Sequence, residues 1–295
     1  MLKRSLVFSN PMNLSLKNQQ LVWAYRDDPE TKQTIPIEDI AVVLLENQQT
    51  IITLPLLNAL VENNVQVVLC NSKGMPSSML QNMNGNNLQG ETLRYQIACS
   101  EVLKKRLWKQ IIEAKIKNQS RLLDKVGQDG NRLKAFYSNV KSGDSDNREG
   151  IAARIYFSEL FGADFIRDRD SPGINALLNY GYTILRAATA RAIASSGLFS
   201  ALGIFHHNRS NAFPLADDLM EPYRPFVDEV VYDLCMQGRL ELSKDVKGDL
   251  ISVLYADTKF EKVTRPLSVG LSITTASLVK CLSKEQTTLS LPLMI

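Results

Sequence analysis

Four side chains in the sequence, three acids and one imidazole, are spaced so that they could share one cation. Asp218 and Glu221 are three residues apart in a stretch with helical periodicity, so both carboxylates project from one helix face. His206 precedes them in a short loop, and Glu149 lies in a separate predicted helix. Carboxylates suit Mg²⁺ or Mn²⁺, and an imidazole favours Mn²⁺. The set predicts phosphoryl transfer on DNA or RNA without a covalent protein nucleophile.

Two arginines near these acids fit the same chemistry. Arg209 and Arg224 carry permanent charge and forked donors, which could hold adjacent phosphates.

Each acid and histidine also has a structural interpretation, and on spacing alone that interpretation is the more common one. Glu149 follows a polar run and could sit in the first turn of a helix. A carboxylate at that position interacts favourably with the helix dipole. His206 and His207 could be surface or hydrogen-bonded structural histidines. Asp217 and Asp218 could be acids at a helix N-terminus.

Composition excludes several other kinds of site. His206 and His207 are the only histidines, so sites that need several imidazoles are excluded. The GxSxG, GxGxxG and GxxxxGK[ST] motifs are absent, which excludes the common serine hydrolase elbow and the nucleotide-binding loops. The four cysteines form no CxxC pair and are expected to be reduced. No apolar run is long enough to span a membrane, and we expect a cytoplasmic protein.

The net charge of +3 hides an uneven distribution. Residues 81–140 carry 11 basic and 5 acidic side chains. Within them Leu103, Leu107, Ile111 and Ala114 recur at helical spacing, while the opposite face carries the basic residues Lys105, Arg106, Lys109 and Lys117. This face indicates either a polyanion-binding surface or a solvated helix face.

The elements that must position these residues fall into two parts, which predicts an α+β fold. Residues 1–72 read as a small β-rich domain with strands at Arg4–Phe8, Asn13–Lys17, Gln20–Tyr25 and Ile40–Leu45 and at least one helix. Residues 73–90 are rich in Asn, Gly and Ser and are interpreted as a linker. Residues 91–295 are predicted to form a larger all-helical domain, which carries the candidate site residues. Its predicted helices after the basic one are 131–140, 149–162, 173–196, 215–236 and 268–283, the fourth of them bent by its prolines.

Four ordered motifs give this chain a resemblance to a known family. They are Glu149-Gly-x-Ala-Ala-Arg-x-Tyr, Asn175-x-x-Leu-Asn-Tyr-Gly-Tyr, Gly203-x-x-His206 and Asp218-Leu-Met-Glu221-Pro-x-Arg224-Pro. The chain thereby resembles the CRISPR spacer-acquisition integrase, the metal-dependent DNA-integrating subunit of CRISPR adaptation. The likeness extends over most of the chain and looks most like the type II systems.

The resemblance implies a site and a reaction. Glu149, His206 and Glu221 would be catalytic and would bind Mg²⁺ or Mn²⁺, with Asp218 close by as an additional acid. Either His206 or His207 could reach the metal, and the GxxH spacing favours His206. The 3′-hydroxyl of an incoming DNA duplex would attack a phosphodiester of the CRISPR repeat, once at each end. DNA would be bound by Arg224, Arg209, Lys105 and Lys109.

The resemblance also implies partners. The protein would form homodimers through its β domain, and two homodimers would assemble with a small ferredoxin-like partner into a heterohexamer on prespacer and repeat DNA. The large effector nuclease of the system is a further candidate partner, and no membrane is involved. Two other functions remain open: a structure-selective DNA repair endonuclease, and a non-catalytic DNA-binding scaffold.

Overall fold

A computed structural model describes residues 3–72, 74–80, 82, 86–168 and 171–295. The chain divides into two compact units, residues 1–85 and 86–295. The predicted α+β class is confirmed, with strands in the first unit and mostly helices in the second. None of the described helices is long and apolar enough to cross a membrane.

The first unit consists of strands and one helix. In chain order these are β1 (Arg4–Phe8), β2 (Met12–Lys17), β3 (Gln20–Tyr25), β4 (Gln33–Pro36), β5 (Ile40–Leu45), β6 (Ile51–Ile52), α1 (Leu54–Glu62), β7 (Gln66–Cys70) and β8 (Pro76–Leu80).

These strands form two four-stranded sheets, in the orders β1-β5-β7-β8 and β4-β3-β2-β6. In the first sheet β5 pairs in parallel with β1 and β7, whereas β8 runs antiparallel to β7. In the second, β2 and β3 form a hairpin whose two turn residues, Asn18 and Gln19, have positive φ. That geometry matches the right-handed twist of a two-residue hairpin. The strand β5 is buried along its whole length, as expected for the apolar sequence IAVVLL.

The core of this unit combines residues of both sheets and the helix. It includes Leu14, Leu21, Val43 and Leu60, each fully buried or nearly so. The polar residues 73–90, interpreted as a linker, include the strand β8, and α2 begins at Gln89. The side chains of Ser77 and Ser78 are exposed, so this outer strand lacks the apolar alternation that reveals a strand in a sequence.

The second unit contains nine described helices and one hairpin. They are α2 (Gln89–Ile97), α3 (Glu101–Lys125), α4 (Lys134–Tyr137), α5 (Arg148–Phe161), α6 (Ile174–Ser195), α7 (Pro214–Met220), α8 (Arg224–Met236), α9 (Lys244–Ser252), the strands β9 (Asp257–Lys259) and β10 (Thr264–Pro266), and α10 (Leu267–Leu282). The hairpin β9–β10 makes the all-helical prediction wrong at this one place. Its strands are only three residues long, too short to show alternation.

The central helix of this unit is α6, and fourteen of its residues are buried. It packs against α7, α8, α9 and α10. At Gly181 a Cβ atom would lie 2.4 Å from Cγ1 of Val227, so only glycine lets α6 and α8 approach this closely. The predicted helix 215–236 is divided by the 3₁₀ turn Glu221–Tyr223, because a proline cannot donate the backbone hydrogen bond of a helix interior.

The helix predicted at 131–140 is much shorter in the structure. A 3₁₀ turn at Gly130–Leu133 leads into the single turn of α4. The side chain of Asp129 accepts a hydrogen bond from Asn131 N and caps the 3₁₀ turn. Helices α2 and α9 were not predicted, because polar residues dominate both of them.

Candidate active site

The long helix α3 carries a charged residue on its buried face. Ser100 caps its N-terminus by accepting a hydrogen bond from Leu103 N. Its buried side includes Leu107 and Ile111, and the next position at this four-residue spacing is Lys115. The side chain of Lys115 is only 10% exposed. A buried ammonium requires anionic partners, because desolvation of an unpaired charge is costly.

Helix α5 supplies the first anionic partner. Asn147 adopts a left-handed conformation and accepts a hydrogen bond from Gly150 N, which caps the helix. A Cβ atom at residue 150 would lie 2.7 Å from the Asn147 side-chain amide, so a larger residue there would push against this cap. Asp144 accepts hydrogen bonds from the backbone N–H groups of Arg148 and Glu149. Together these contacts fix the first turn of α5, which carries Glu149.

The 3₁₀ turn between α7 and α8 supplies the second partner, Glu221. The buried amide of Asn118, three residues beyond Lys115 on α3, donates hydrogen bonds to Pro222 O at 2.8 Å and Pro292 O at 3.1 Å. Its oxygen accepts a hydrogen bond from Met294 N. The same face of α3 therefore holds the turn that carries Glu221 and presents Lys115 to it.

One ammonium joins the two carboxylates. Nζ of Lys115 lies 2.5 Å from Oε1 of Glu149 and 2.5 Å from Oε2 of Glu221. The other oxygen of Glu221, Oε1, lies 2.9 Å from Nε of Arg224. Burial disfavours the charge of Lys115, but Glu221 and Glu149 outweigh burial and raise the pKa of the ammonium. Burial likewise opposes ionisation of Glu221, but Arg224 and Lys115 lower the pKa of this carboxyl.

The loop before α7 places His206 against Asp218. Nδ1 of His206 lies 2.6 Å from Oδ1 of Asp218. The buried Asp218 also accepts hydrogen bonds from the backbone N–H groups of Ile204, Phe205 and His206. The hydrogen bond to Asp218 raises the pKa of His206, and the negative charge of Glu221 acts in the same direction. Since Nδ1 is engaged, Nε2 is the nitrogen left to face a ligand.

Gly203 is required by this loop. A Cβ atom there would lie 2.4 Å from the carbonyl oxygen of His206 and 3.1 Å from Oδ2 of Asp218. The GxxH spacing therefore has a steric cause: the loop folds back on itself so that the backbone at residue 203 contacts the backbone at residue 206. His207 is exposed and lines a cleft of about 280 Å³ with Cys99 and Lys104.

Aromatic rings support His206. The ring of Phe205 stacks on the buried ring of Trp108, with centroids 4.3 Å apart. Both rings meet the imidazole edge to face, each with a centroid distance of 5.7 Å. These contacts restrict rotation of the imidazole about its side-chain bonds.

A third buried carboxyl, after Glu221 and Asp218, lies behind the site. Asp228 on α8 accepts hydrogen bonds from the hydroxyls of Tyr156 at 2.8 Å and Tyr182 at 2.5 Å. Burial raises the pKa of Asp228 to about 6, although both tyrosine hydrogen bonds oppose the increase. The guanidinium of Arg224 lies over the ring of Tyr182, 4.6 Å from its centroid. Tyr182 and Arg224 thus connect Asp228 to Glu221.

The remaining predicted binding residues lie apart from these ion pairs. Arg209 and Lys105 are exposed, and Lys109 is half-exposed with its ammonium 3.6 Å from Glu113. Arg224, predicted to hold phosphate, contacts Glu221 and Tyr182, and its side chain is 26% exposed. Asp217 forms an ion pair with Arg186, in which Oδ1 of Asp217 lies 2.7 Å from Nε of Arg186. This ion pair has a structural role in the loop.

The structure tests whether the predicted ligand set fits a metal ion. Within the described part of the chain, no group of three or more His, Cys, Asp or Glu side chains is arranged to hold one. The position between Glu149 and Glu221 is taken by the ammonium of Lys115. Oε2 of Glu221 is buried and meets this ammonium as an ion pair at 2.5 Å, without a hydrogen bond from the described residues. The donor types suit Mg²⁺ or Mn²⁺, so the residues fit such an ion once that ammonium moves.

Sequence reasoning missed Lys115, Asn118 and Asp228. A signal for Lys115 exists, because a lysine at the four-residue spacing of Leu107 and Ile111 interrupts an apolar stripe. Asp228 offers no comparable signal, since its tyrosine partners come from two other helices.

A helical unit that gathers carboxylates, an imidazole and basic side chains defines a candidate enzyme of phosphodiester chemistry. The family model described as CRISPR associated protein Cas1 matches residues 6–267. A CRISPR-associated endonuclease Cas1 from Neisseria meningitidis serogroup C (strain 8013) is 41% identical over 263 residues, which cover 88% of this chain and 85% of that relative. The chain belongs to the Cas1 family.

Solved structures show the same fold. A casposase bound to integration product matches with a TM-score of 0.79 at 22% identity, covering 98% of this chain and 93% of that one. A chain of a Cas6-RT-Cas1–Cas2 complex matches with a TM-score of 0.73 at 23% identity, covering 97% of this chain and 35% of that one. The family resemblance inferred from the four motifs is confirmed by the family model and by the Neisseria meningitidis relative, which is named as a CRISPR-associated endonuclease.

Proposed function

We propose that this protein inserts short DNA duplexes beside a repeat of a CRISPR array, by attack of the 3′-hydroxyl of each incoming strand on a repeat phosphodiester. The repeat phosphorus forms a bond to the incoming 3′-oxygen and breaks its bond to the 3′-oxygen of the preceding repeat-strand nucleotide. That oxygen leaves as a hydroxyl, the attacking hydroxyl gives up one proton, and the number of phosphodiesters is unchanged. The observation that carries the proposal is that Glu149 and Glu221 face one another across a single cation.

We assign Glu149, Glu221 and Nε2 of His206 as the groups that would hold Mg²⁺ or Mn²⁺. The bound ion would supply Lewis-acid charge at the phosphodiester. Asp218 fixes the tautomer and orientation of the imidazole through Nδ1. Arg224 holds Oε1 of Glu221, which leaves Oε2 as the oxygen directed to the cation. His206 rather than His207 is assigned, because only His206 contacts Asp218.

We propose that DNA is bound by basic residues outside the ion-pair cluster. Arg209 lies in the exposed part of the loop that carries His206, and Lys105 and Lys109 lie on the solvent side of α3. These side chains would contact phosphates, so binding would depend steeply on salt and weakly on sequence. Because Arg224 contacts Glu221, its position supports a role in holding that carboxylate in addition to any contact with phosphate.

We further propose the assembly implied by the family resemblance. The β-rich residues 1–72 would form the homodimer contact, with residues 73–90 as the connection to the catalytic part. The outer strands of both sheets in the first unit have backbone groups that could pair with a second copy. One matching structure is a complex that contains Cas1 and Cas2. A small Cas2-like partner would bridge two homodimers, with the large effector nuclease as a further partner in a type II system of the bacterial cytoplasm.

An integration assay tests this function. A labelled duplex with 3′-hydroxyl ends is incubated with a supercoiled plasmid that carries a repeat, in Mn²⁺, with and without the small partner. We expect wild-type protein to join label to plasmid, His206→Ala to lose joining, and the matched control His207→Ala to retain it. Cutting without joining would support the repair endonuclease. Joining by variants with alanine at 149, 206 and 221 would refute the site, and DNA binding alone would support a scaffold.

A further inference from the structure

The position between Glu149 and Glu221 already holds a positive charge that belongs to the protein. Nζ of Lys115 contacts one oxygen of each carboxylate at 2.5 Å. Its side chain is 10% exposed, and that of Glu221 is 5% exposed. An ammonium held between two carboxylates at this depth neutralises charges that would otherwise repel each other.

The charges in this cluster balance without any added ion. Glu149 and Glu221 contribute two negative charges, and Lys115 and Arg224 contribute two positive ones. A divalent cation placed beside an unmoved Lys115 would be strongly repelled by the ammonium, because screening by water is weak in a buried site.

Each carboxylate oxygen of Glu221 contacts a different cationic side chain. Oε1 contacts Arg224, whereas Oε2 contacts Lys115 as an ion pair without hydrogen-bond geometry. Arg224 is further held over Tyr182. Arg224 pairs with Glu221 alone, whereas Lys115 occupies the position between Glu149 and Glu221, so Lys115 is the cation that an ion at that position would have to replace.

We propose that Lys115 is the resident counter-ion of the metal-free site, and that a divalent metal ion must displace its ammonium from between Glu149 and Glu221 to bind there. This inference rests on the proposed metal site and adds a residue to it. Lys115 keeps the two carboxylates facing each other before the metal arrives, and it sets the affinity for the metal by competing with it.

The test measures Mn²⁺ binding by isothermal titration calorimetry on full-length protein without DNA. Lys115→Met removes the ammonium and preserves most of the side-chain volume. We expect its Mn²⁺ dissociation constant to fall by about tenfold or more relative to wild type. Lys117→Met changes an exposed lysine two residues along the same helix, and we expect it to leave the dissociation constant unchanged.

Thermal unfolding gives a readout that does not depend on activity. In EDTA we expect Lys115→Met to melt below wild type, because the buried Glu221 and the partly exposed Glu149 lose a shared cation. Saturating Mn²⁺ should raise the melting temperature of the variant more than that of wild type, since tighter binding to the folded state adds stability. An unchanged or weaker Mn²⁺ affinity in Lys115→Met would overturn the proposal.

A measurement on wild-type protein covers the case in which the variant does not fold. Lysines are acetylated with a water-soluble reagent in EDTA and in Mn²⁺, and the modified peptides are quantified by mass spectrometry. We expect Lys115 to be protected in EDTA and to become reactive in Mn²⁺, with Lys117 reactive in both. Continued protection of Lys115 in Mn²⁺ would overturn the proposal.

Glu149→Gln separates this inference from the proposed function. If wild type binds Mn²⁺ and Glu149→Gln loses that binding, the metal site stands, and the Lys115→Met titration alone decides the role of Lys115. If wild type binds no Mn²⁺, or Glu149→Gln binds it equally well, the proposed site and the displacement of Lys115 are both refuted.

Discussion

Nδ1 of His206 lies 2.6 Å from Oδ1 of Asp218, and this contact determines which ring nitrogen is directed away from the loop. The same carboxylate accepts three backbone N–H groups of the loop. Asp218 therefore both builds the loop and orients the imidazole that the loop presents.

The first prediction concerns Asp218→Asn. The amide can still accept hydrogen bonds from the loop backbone, but it loses one acceptor oxygen and the charge that stabilises Nδ1–H. We expect Mn²⁺ affinity to fall by roughly 10- to 100-fold, as is usual for loss of a carboxylate behind a ligating histidine. Calorimetric titration checks this. Asp164→Asn, at an exposed turn, is the control, and an unchanged affinity in Asp218→Asn would remove Asp218 from the site.

A second prediction follows from the steric fit at Gly203. Gly203→Ala forces the new Cβ against the carbonyl oxygen of His206 and the carboxylate of Asp218, so the loop must shift. We expect strand joining to fall by about 100-fold, since displacement of a catalytic group by about 1 Å has an effect of that size.

Gly248→Ala provides the contrast for this prediction. Gly248 is exposed within α9 and has open space around its Cα, so alanine should stabilise the protein by about 1 kcal/mol. Joining should be unaffected. Circular dichroism melts and the plasmid joining assay measure both quantities, and full activity in Gly203→Ala would contradict the steric argument.

The third prediction is a pH dependence of stability that arises from Asp228. Its pKa in the folded protein is raised to about 6 from an ordinary value of 3.8, so the folded state binds the proton more tightly than the unfolded state. The resulting stabilisation is fully present below pH 3.8 and is lost as pH rises through 6. The groups that act on the pKa of Asp228 are Tyr156, Tyr182, Arg224 and Lys115.

Asp228→Asn makes this dependence measurable, because the amide stays neutral at every pH. We expect the free energy of unfolding of wild type, relative to the variant, to decrease by about 3 kcal/mol as pH rises from below 4 to above 6. Urea denaturation across this range provides the measurement. Asp233→Asn, exposed on the same helix, should show no such change. A difference between wild type and Asp228→Asn that does not vary with pH would show that Asp228 titrates normally.

The fourth prediction concerns the solvent side of α3. Lys105→Ala and Lys109→Ala should each weaken DNA binding and reduce the slope of log affinity against log salt by about 1. The effect of Lys109 should be the smaller one, because Glu113 partly neutralises it. Filter binding from low to high salt measures the slopes. Lys280→Ala, exposed on α10, is the control, and a slope equal to wild type in Lys105→Ala would place the DNA elsewhere.

Local sequence patterns predicted much of the architecture. Alternating and β-branched runs located the strands β1, β2, β3 and β5, and the periodicity of α3 and α6 located those helices. The prolines at 222 and 225 predicted a break that the structure shows as a 3₁₀ turn. The hairpin β9–β10 and the strand β8 escaped prediction, because short or outer strands carry few apolar residues and depend on their partners for stability.

The sequence by itself determined the types of group in the site and the motifs that carry them, since residue identity and spacing within one helix or loop are local properties. Only the tertiary structure decided that Lys115 lies between Glu149 and Glu221. It also decided that Asp218 makes a hydrogen bond with His206, and that Asp228 is buried beneath two tyrosines. The contact between His206 and Asp218 spans only 12 residues, but the other contacts join segments that are distant in the chain. They form because packed helices bring the segments together, and because a buried charge is stable only where another segment supplies its partner.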